Sequence, residues 1–327
     1  MMTLIYNVPR NYAWGSRTMF ESLGIAPTGE PMAEIWFGTH HGCPSVLADN
    51  HQESLKDFLG GRELPFLLKL LAAQEPLSIQ AHPNSEQARA GFAREEALGI
   101  PQDSATRNYK DDRHKPEMVV ALSEEFHALC GLRPVEQTQE LLLILQDASG
   151  ASADFHETAK QLAQVLSEHG LSACFHQILE RAEGLRNFAA ELVTLCEELA
   201  QQHPAYAPSL QTAVQLSNRY PGDVGVMLSL LMNHAVLKPG EALFLPAGNI
   251  HAYLYGLAVE VMASSDNVIR GGLTPKHIDI DELSAILDFT PRPIPYVHPK
   301  PIASGVVNYP VPVADFALHR IDLDIEM

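Results

Sequence analysis

The sequence predicts a mainly β protein interrupted by a block of helices. Two observations predict it. Towards both ends of the chain, short apolar or alternating runs are bounded by Gly, Pro, Asn or Asp, the texture of strands and tight turns. Between Pro134 and about Tyr220 the period changes, and apolar residues recur at three- and four-residue spacing.

Taken in order, "EIWFGTH", "SVLAD" and "MVVALS" between Ile35 and Leu122 read as strands, whereas "ELPFLLKLLAA" fits a buried strand or a short helix. One helix sits among them: Asn84 can cap it, Gln87 completes a capping box, and "EQARAGFAREEA" follows. The helical block is "VEQTQELLLILQD", "DFHETAKQLAQVLSEHG", "LSACFHQILERAEG", "NFAAELVTLCEELAQQ" and "APSLQTAVQLSNRY", expected to serve as scaffold or lid. Strands return at Gly225 with "VMLSLLMNHAVL", "EALFLPAG" and "HAYLYGLAVEVMA". "DIDELSAILDF" reads as a helix capped by Asp279, and "PRPIPYVHPKP" as a proline-rich linker.

The expected division is a first β part over 1–132, a helical insert over 133–221, a second β part over 222–295, and a linker with the start of a truncated C-terminal β domain over 296–327. In the terminal "FALHRIDLDIEM", Ile321, Leu323 and Ile325 alternate with Asp322, Asp324 and Glu326 as in a half-buried strand. Few residues remain after Asn308 to build its partner sheet. An incomplete β domain with an uncovered strand is therefore expected.

Composition narrows the function. Of 327 residues, 46 % are hydrophobic and 19 % charged, as in ordinary globular proteins. The formal net charge of -18 argues against nucleic acid and anionic membranes as partners. Basic groups for an anionic substrate would have to be gathered locally. The longest apolar run, "ELLLILQDA", is too short to span a bilayer, and "MMTLIYNVPRNYAWG" lacks the layout of a signal peptide. Cys43, Cys130, Cys174 and Cys196 are scattered without a C-x-x-C, which points to reduced thiols and a cytoplasmic setting. A monomer is expected.

Two motifs carry chemistry. In "PGEALFLPAGNIHAY", Gly240, five residues, Pro246, one residue, Gly248, two residues and His251 match the second sequence motif of the cupin superfamily. Pro239-Gly240 and Pro246-Ala247-Gly248 make turns around a buried strand and deliver His251 onto the next one. In "SIQAHPN", Gln80 and His82 share one face at i and i+2, with glutamine where a first histidine would stand. Glu86 has the spacing of the acidic partner, but it lies in the first turn of the capped helix, where a carboxylate is favoured without a metal. Glu117 in "HKPEMVVAL", after a proline at a strand start, is the better acidic candidate. The His40-His41 pair, if on a strand, would point to opposite faces and chelate poorly.

Together with "YAWG", "RNYKDDRHKPEMVVAL" and "LFLPAGNIHAYLYGLAVEVMASSDNVIRGGLTPKHID", these motifs make the chain resemble type I mannose-6-phosphate isomerases from about Tyr12 to about Asp324. The resemblance implies a zinc-bearing cupin jelly roll interrupted by a helical domain and followed by a second jelly roll. It implies one Zn²⁺ per chain on Gln80, His82, Glu117 and His251, and a phosphorylated sugar substrate. Two imidazoles, one carboxylate and one neutral amide suit Zn²⁺ and leave the site positive. Arg270 in "NVIRGG" matches the family's catalytic arginine, and Lys276 and Lys115 match pocket positions. Glu260 and Asp266 are acid/base or orienting carboxylates, and His114 is a further proton-transfer candidate; the base stays open among His114, Lys115, Glu260 and Asp266. Trp14, Glu34, Ser78 and Tyr253 resemble substrate-pocket residues. The competing expectations are an iron-dependent cupin oxygenase, which Gln80 disfavours, and a non-catalytic sugar-binding cupin, which would lack the Arg270 and Lys276 pair.

Overall fold

The computed structural model describes residues 3–181 and 184–323. In chain order its strands are β1 (Ile5–Tyr6), β2 (Glu34–Phe37), β3 (Val46–Leu47), β4 (Phe66–Ala73), β5 (Ile79–Ala81), β6 (Glu117–Ala121), β7 (Phe126–Leu132), β8 (Met232–Leu237), β9 (Ala242–Leu245), β10 (His251–Ala263), β11 (Ile269–Gly272), β12 (Tyr296–Val297), β13 (Lys300–Ala303), β14 (Val306–Tyr309) and β15 (Leu318–Ile321). The helices are α1 (Leu55–Phe58), α2 (Ser85–Ala97), α3 (Val135–Gln146), α4 (Ala153–Glu180), α5 (Arg186–Gln202), α6 (Ala207–Arg219), α7 (Gly225–Ser229) and α8 (Ile280–Ile286).

Strand β10 organises a large antiparallel sheet system. Its first half pairs with β5 and β7, and its second half with β4 and β6. The register shifts between Tyr253 and Tyr255. Gly256 follows with φ 120°, and a Cβ there would stand 2.7 Å from the Glu125 carbonyl oxygen; only glycine fits such a bend. One strand thus passes from one sheet into another. The first runs β2–β4–β10–β6–β9–β12 and the second β11–β5–β10–β7–β8.

Period-two alternation sorts the side chains. Leu71, Val119, Ala121, Ala128, Cys130, Leu243, Tyr253 and Ala258 form one core between the facing sheets. Ile79, Leu129, Ala252, Leu254 and Ile269 point the other way, into a large cluster with Leu141, Leu162, Phe175, Leu192 and Leu216 of the helices. The helical block therefore backs the second sheet. No described helix is long and apolar enough to cross a membrane.

Several local expectations resolve. "ELPFLLKLLAA" yields the strand β4. Asn84 and Gln87 form the capping box of α2, and the Asp279 side chain accepts from Glu282 N at the start of α8. The second and third helical segments join as α4 across a kink at Gly170, φ 80°. "VMLSLLMNHAVL" corrects to one short helix, α7, and then β8: its uniformly apolar start is buried on every side and carries no period to distinguish the two. The proline-rich linker holds β12, which pairs with β9.

The expectation of a terminal strand without a partner is also corrected. β15 pairs with β14, and β14 with β13. Tyr309, Phe316 and Val297 pack on Met118, Val120, Ala242 and Val261, the outer face of the first sheet, and the Tyr309 hydroxyl donates to the Gly240 carbonyl at 2.9 Å. The alternation at the end does not bury its apolar residues, since Ile321 and Leu323 are 62 % and 77 % exposed. Asp324, Ile325 and Glu326 lie outside the described residues.

Two predictions follow from this packing. A Cβ on Gly272 would meet Gly225 Cα at 2.7 Å and Asp223 Oδ1 at 3.1 Å, where α7 is pressed against β11. Gly272→Ala should cost about 1–3 kcal/mol by overpacking, read as a lower urea midpoint; an unchanged midpoint would refute the close approach. On β8, His234 is pushed down to about 4 from 6.5 by burial, then by His127 and Arg133. The unfolded chain then binds a proton that the folded chain refuses. Stability should be fully present above about pH 6.5 and fall as pH drops towards about 4, by at most about 3 kcal/mol from this ring and less for its part-exposed edge. His234→Asn should flatten that portion of the curve in urea titrations; an unaltered slope would refute it.

Candidate metal centre and active site

Strand register assembles the centre. Arg270 on β11 lies opposite Gln80 on β5, and Gln80 opposite His251, the first residue of β10. Opposed residues share a face, so the three stand in a row. His82, two residues beyond Gln80, joins the same face. Glu117 begins β6 opposite Met262, which by period two shares the inward face with Glu260. Gly248, φ 75°, makes the turn before His251; a Cβ there would stand 2.9 Å from the Ile286 carbonyl oxygen.

Within this row His82, Glu117 and His251 bring ligand-type atoms within 4.8 Å of one another, and all three are buried. Glu117 Oε1 is 3.3 Å from His82 Nε2, and its Oε2 is 3.2 Å from His251 Nε2. The Gln80 amide nitrogen lies 3.4 Å from His251 Nε2, and turning the amide would present its oxygen instead. Glu86 is exposed on α2.

The histidines are held in one tautomer. His82 Nδ1 faces the Asn267 carbonyl at 2.7 Å, and His251 Nδ1 faces the Asn249 carbonyl at 3.0 Å. A carbonyl only accepts, so each Nδ1 carries the proton and each Nε2 turns a lone pair inward. Burial, then Lys115, pushes His82 down to about 4, so it is neutral at neutral pH. Burial alone would raise the Glu117 carboxyl; the adjoining His82, Lys115 and His251 outweigh it and hold it well below the usual range. Yet His82 Nε2 and Glu117 Oε2 have no hydrogen-bond partner. Buried polar atoms are seldom left so. Inward lone pairs, an ionised carboxylate and two orphaned atoms fit a divalent cation.

Beside this centre lies a second charged group. Trp36, Lys69 and Glu260 stand side by side on β2, β4 and β10. Lys69 Nζ is 2.8 Å from Glu260 Oε2 and 3.4 Å from Glu34 Oε1. The Trp36 indole N–H donates to Glu34 Oε2 at 2.8 Å, and Lys115 Nζ is 3.3 Å from Glu117 Oε1. Burial would lower Lys69, but Glu260, Glu34 and Glu117 raise it instead. Burial, with Glu117 and Glu34 nearby, raises Glu260 against the pull of Lys69. Burial likewise raises Tyr253, whose hydroxyl has no hydrogen-bond partner.

The other expected residues are more scattered. Arg270 is half-buried and has no carboxylate partner among the described residues; burial lowers it, and burial and then Arg270 lower Lys276. Asp266 accepts from His40. Trp14 is partly buried against the core between the sheets. Ser78 is half-buried just before β5. His114 stands apart, 3.0 Å from Asp315 in a separate cleft.

Sequence reasoning missed Lys69, Asn267 and His40. A lone lysine inside "PFLLKLLAA" was a usable signal, because a charge on a buried strand needs partners. Asn267 is fully buried; besides its carbonyl to His82, its side chain accepts from Lys110 N at 2.7 Å and donates to the Arg113 carbonyl at 2.9 Å. The expectation for His40 and His41 is corrected: both lie beyond the end of β2, and their rings stack at 4.6 Å.

Residues 2–135 match the family model described as phosphomannose isomerase type I, catalytic domain. The mannose-6-phosphate isomerase of Salmonella typhimurium is 41 % identical over 99 % of this chain and 85 % of its own. That of Escherichia coli is 39 % identical over 98 % and 84 %, and that of Homo sapiens 36 % identical over 86 % and 72 %. Among solved structures, a mutant of the Salmonella typhimurium phosphomannose isomerase superposes with a TM-score of 0.85 at 40 % identity, covering 98 % of this chain and 83 % of that one. A zinc-bound mannose 6-phosphate isomerase superposes with a TM-score of 0.84 at 40 % identity and the same coverage. With this identity running through both sheets and the helices between them, the chain belongs to the type I mannose-6-phosphate isomerase family.

Proposed function

We propose that this chain interconverts mannose 6-phosphate and fructose 6-phosphate, with one zinc ion held by Gln80, His82, Glu117 and His251. The observation that carries the reading is the pair of imidazoles turned lone-pair-inward onto an incompletely satisfied carboxylate, with Arg270 in the same row. The finer architecture is a cupin jelly roll divided between residues 1–132 and 222–295, an insert over 133–221, and a small β unit from residue 296. Four free cysteines, three of them buried, agree with a cytoplasmic setting.

Bound zinc would act as a Lewis acid towards sugar oxygens. The rest falls to the chain. Isomerisation moves a proton between C1 and C2 of the open-chain sugar through an enediol(ate). Glu260, raised by burial and then by Glu117 and Glu34, is suited to exchange a proton with the substrate, and Lys69 holds it in place. Lys115 and Asp266 remain the other proton-transfer candidates of this site. His114 is set aside, since its ring is turned to Asp315. Arg270 is aimed at charge developing on the substrate, and Lys276 beside it suits the phosphate. Glu34, Trp14, Ser78 and Tyr253 would border the sugar.

Metal analysis with a coupled assay for fructose 6-phosphate tests the whole reading; a metal-free chain with no turnover after zinc is restored would overturn it. Glu117→Gln removes the one anionic ligand. It should strip zinc and lower turnover by at least about a hundredfold, whereas Glu86→Gln should keep both. The reverse pattern would refute the ligand set. Arg270→Ala should leave zinc bound and lower kcat roughly 10²–10³-fold with a smaller rise in KM. Near-normal kcat would remove the arginine from catalysis.

A further inference from the structure

A second trio of ligand-type side chains stands apart from the first. His40, His41 and Asp266 bring atoms within 4.8 Å of one another, in a cleft of about 400 Å³ that Lys110, Asp111 and Arg113 also line. Hydrogen bonding distinguishes the two trios. At His82 and His251 each Nδ1 meets a carbonyl, so the proton stays there and Nε2 is free. At His40 the arrangement is reversed. Its Nδ1 accepts from the Gly42 backbone N–H at 3.2 Å, which puts the proton of the neutral ring on Nε2. That atom lies 3.0 Å and 3.1 Å from the two oxygens of Asp266. A metal at this point would need the lone pair that the Gly42 contact takes away.

We propose that His40 is a positioning residue, a neutral Nε2–H donor that aims the Asp266 carboxylate at the substrate. The inference rests on the reading of Asp266 as a carboxylate of the isomerase site. Three observations support it. The loop beneath Asp266 is clamped, with its own N–H donating to Asp111 Oδ2 at 2.8 Å and the Ser265 hydroxyl donating to Asp111 Oδ1 at 2.8 Å. Among the described residues, His40 is the sole hydrogen-bond partner of the Asp266 side chain. The His40 ring is itself held: its side chain is 7 % exposed, and it meets Trp36 edge-on at 4.9 Å, the indole that donates to Glu34 in the Lys69 cluster. Fixed geometry at a reacting group is worth orders of magnitude in rate, and side chains that touch no substrate can supply it.

Two replacements separate the functions of the two ring nitrogens. Gln places its Nε2 where His has Nε2; it can donate to Asp266 but loses the acceptor for Gly42. Asn places its oxygen where His has Nδ1; it keeps the Gly42 contact and loses the donor. With zinc-loaded enzyme, His40→Gln should stay within about threefold of the parent. His40→Asn should lose roughly tenfold in kcat, the size of one hydrogen bond to a charged group, at unchanged zinc content. The opposite order, or equal rates in both variants, would overturn the inference. Asp266→Asn serves as the separate control: full activity there would instead overturn the reading of Asp266 on which the inference rests. A readout independent of turnover is the tautomer, from long-range ¹H–¹⁵N spectra of the parent, with His40 assigned by its disappearance in His40→Asn. An Nε2–H ring supports the inference; an Nδ1–H ring, or a second metal equivalent per chain, refutes it.

Discussion

The site depends on the register of β10. Its first half sets His251 beside Gln80, and its second half sets Glu260 beside Lys69. A slip of one residue in either half would turn those groups outward and bring Ala252 or Val259 into the cavity. The bend between the halves is therefore heavily constrained. Gly256 leaves room for the backbone of Glu125 and Phe126. The Ser123 hydroxyl accepts from Leu257 N at 2.9 Å, and the Tyr253 carbonyl accepts from Leu77 N at 2.8 Å. Alternation does the remaining work: outward residues of the same strands bind the helical block on one sheet and β13–β15 on the other.

Register brings together groups that would not assemble for stability alone. Glu34, Glu117 and Glu260 face Lys69 and Lys115, with every one of these side chains 10 % exposed or less. Three carboxylates against two ammonium groups leave one negative charge uncompensated, and burial together with Glu117 and Glu34 raises Glu260. Burying ion pairs seldom gains stability over apolar packing, and each unsatisfied buried polar atom costs about 1–3 kcal/mol. A divalent cation would satisfy His82 Nε2 and Glu117 Oε2 together and reverse the sign of the local charge. The tautomers of His82 and His251 are fixed by backbone carbonyls, so the lone pairs are preset before any ion arrives.

What could be read from the sequence follows the range of each interaction. Caps and strands were legible because they are local: Asn84 and Gln87, Asp279, and the clean alternation of "HAYLYGLAVEVMA". Gln80 and His82 could be paired by their spacing, and Glu117 preferred over Glu86 because a helix start explains Glu86 by itself. The failures are non-local. "VMLSLL" is buried on all sides, so no period separates helix from strand. The fit of β13–β15 against Met118 and Val261 depends on residues distant in the chain, and counting residues after Asn308 could not reveal it. His40 was dismissed by a strand rule although its backbone leaves the strand at Phe37. Its partner Asp266 is 226 residues away.

The helical block, expected as scaffold or lid, has the physical character of a scaffold. Its cluster runs without a break from Phe155 and Phe188, stacked at 4.1 Å, to Ile79, Ile250 and Ile269 behind Gln80 and Arg270. A lid must part from its neighbours at low cost, whereas this face would expose a continuous apolar core if it moved. The backing also accounts for Arg270. Edge strand β11 is held by Ile269 on the helix side and by the close approach of Gly272 to Gly225, so its inward guanidinium is partly desolvated without any carboxylate among the described residues to satisfy it. In a chain of net charge -18, Arg270 and Lys276, without a carboxylate partner among the described residues, repel each other and lose hydration. An anionic group placed between them relieves both costs at once.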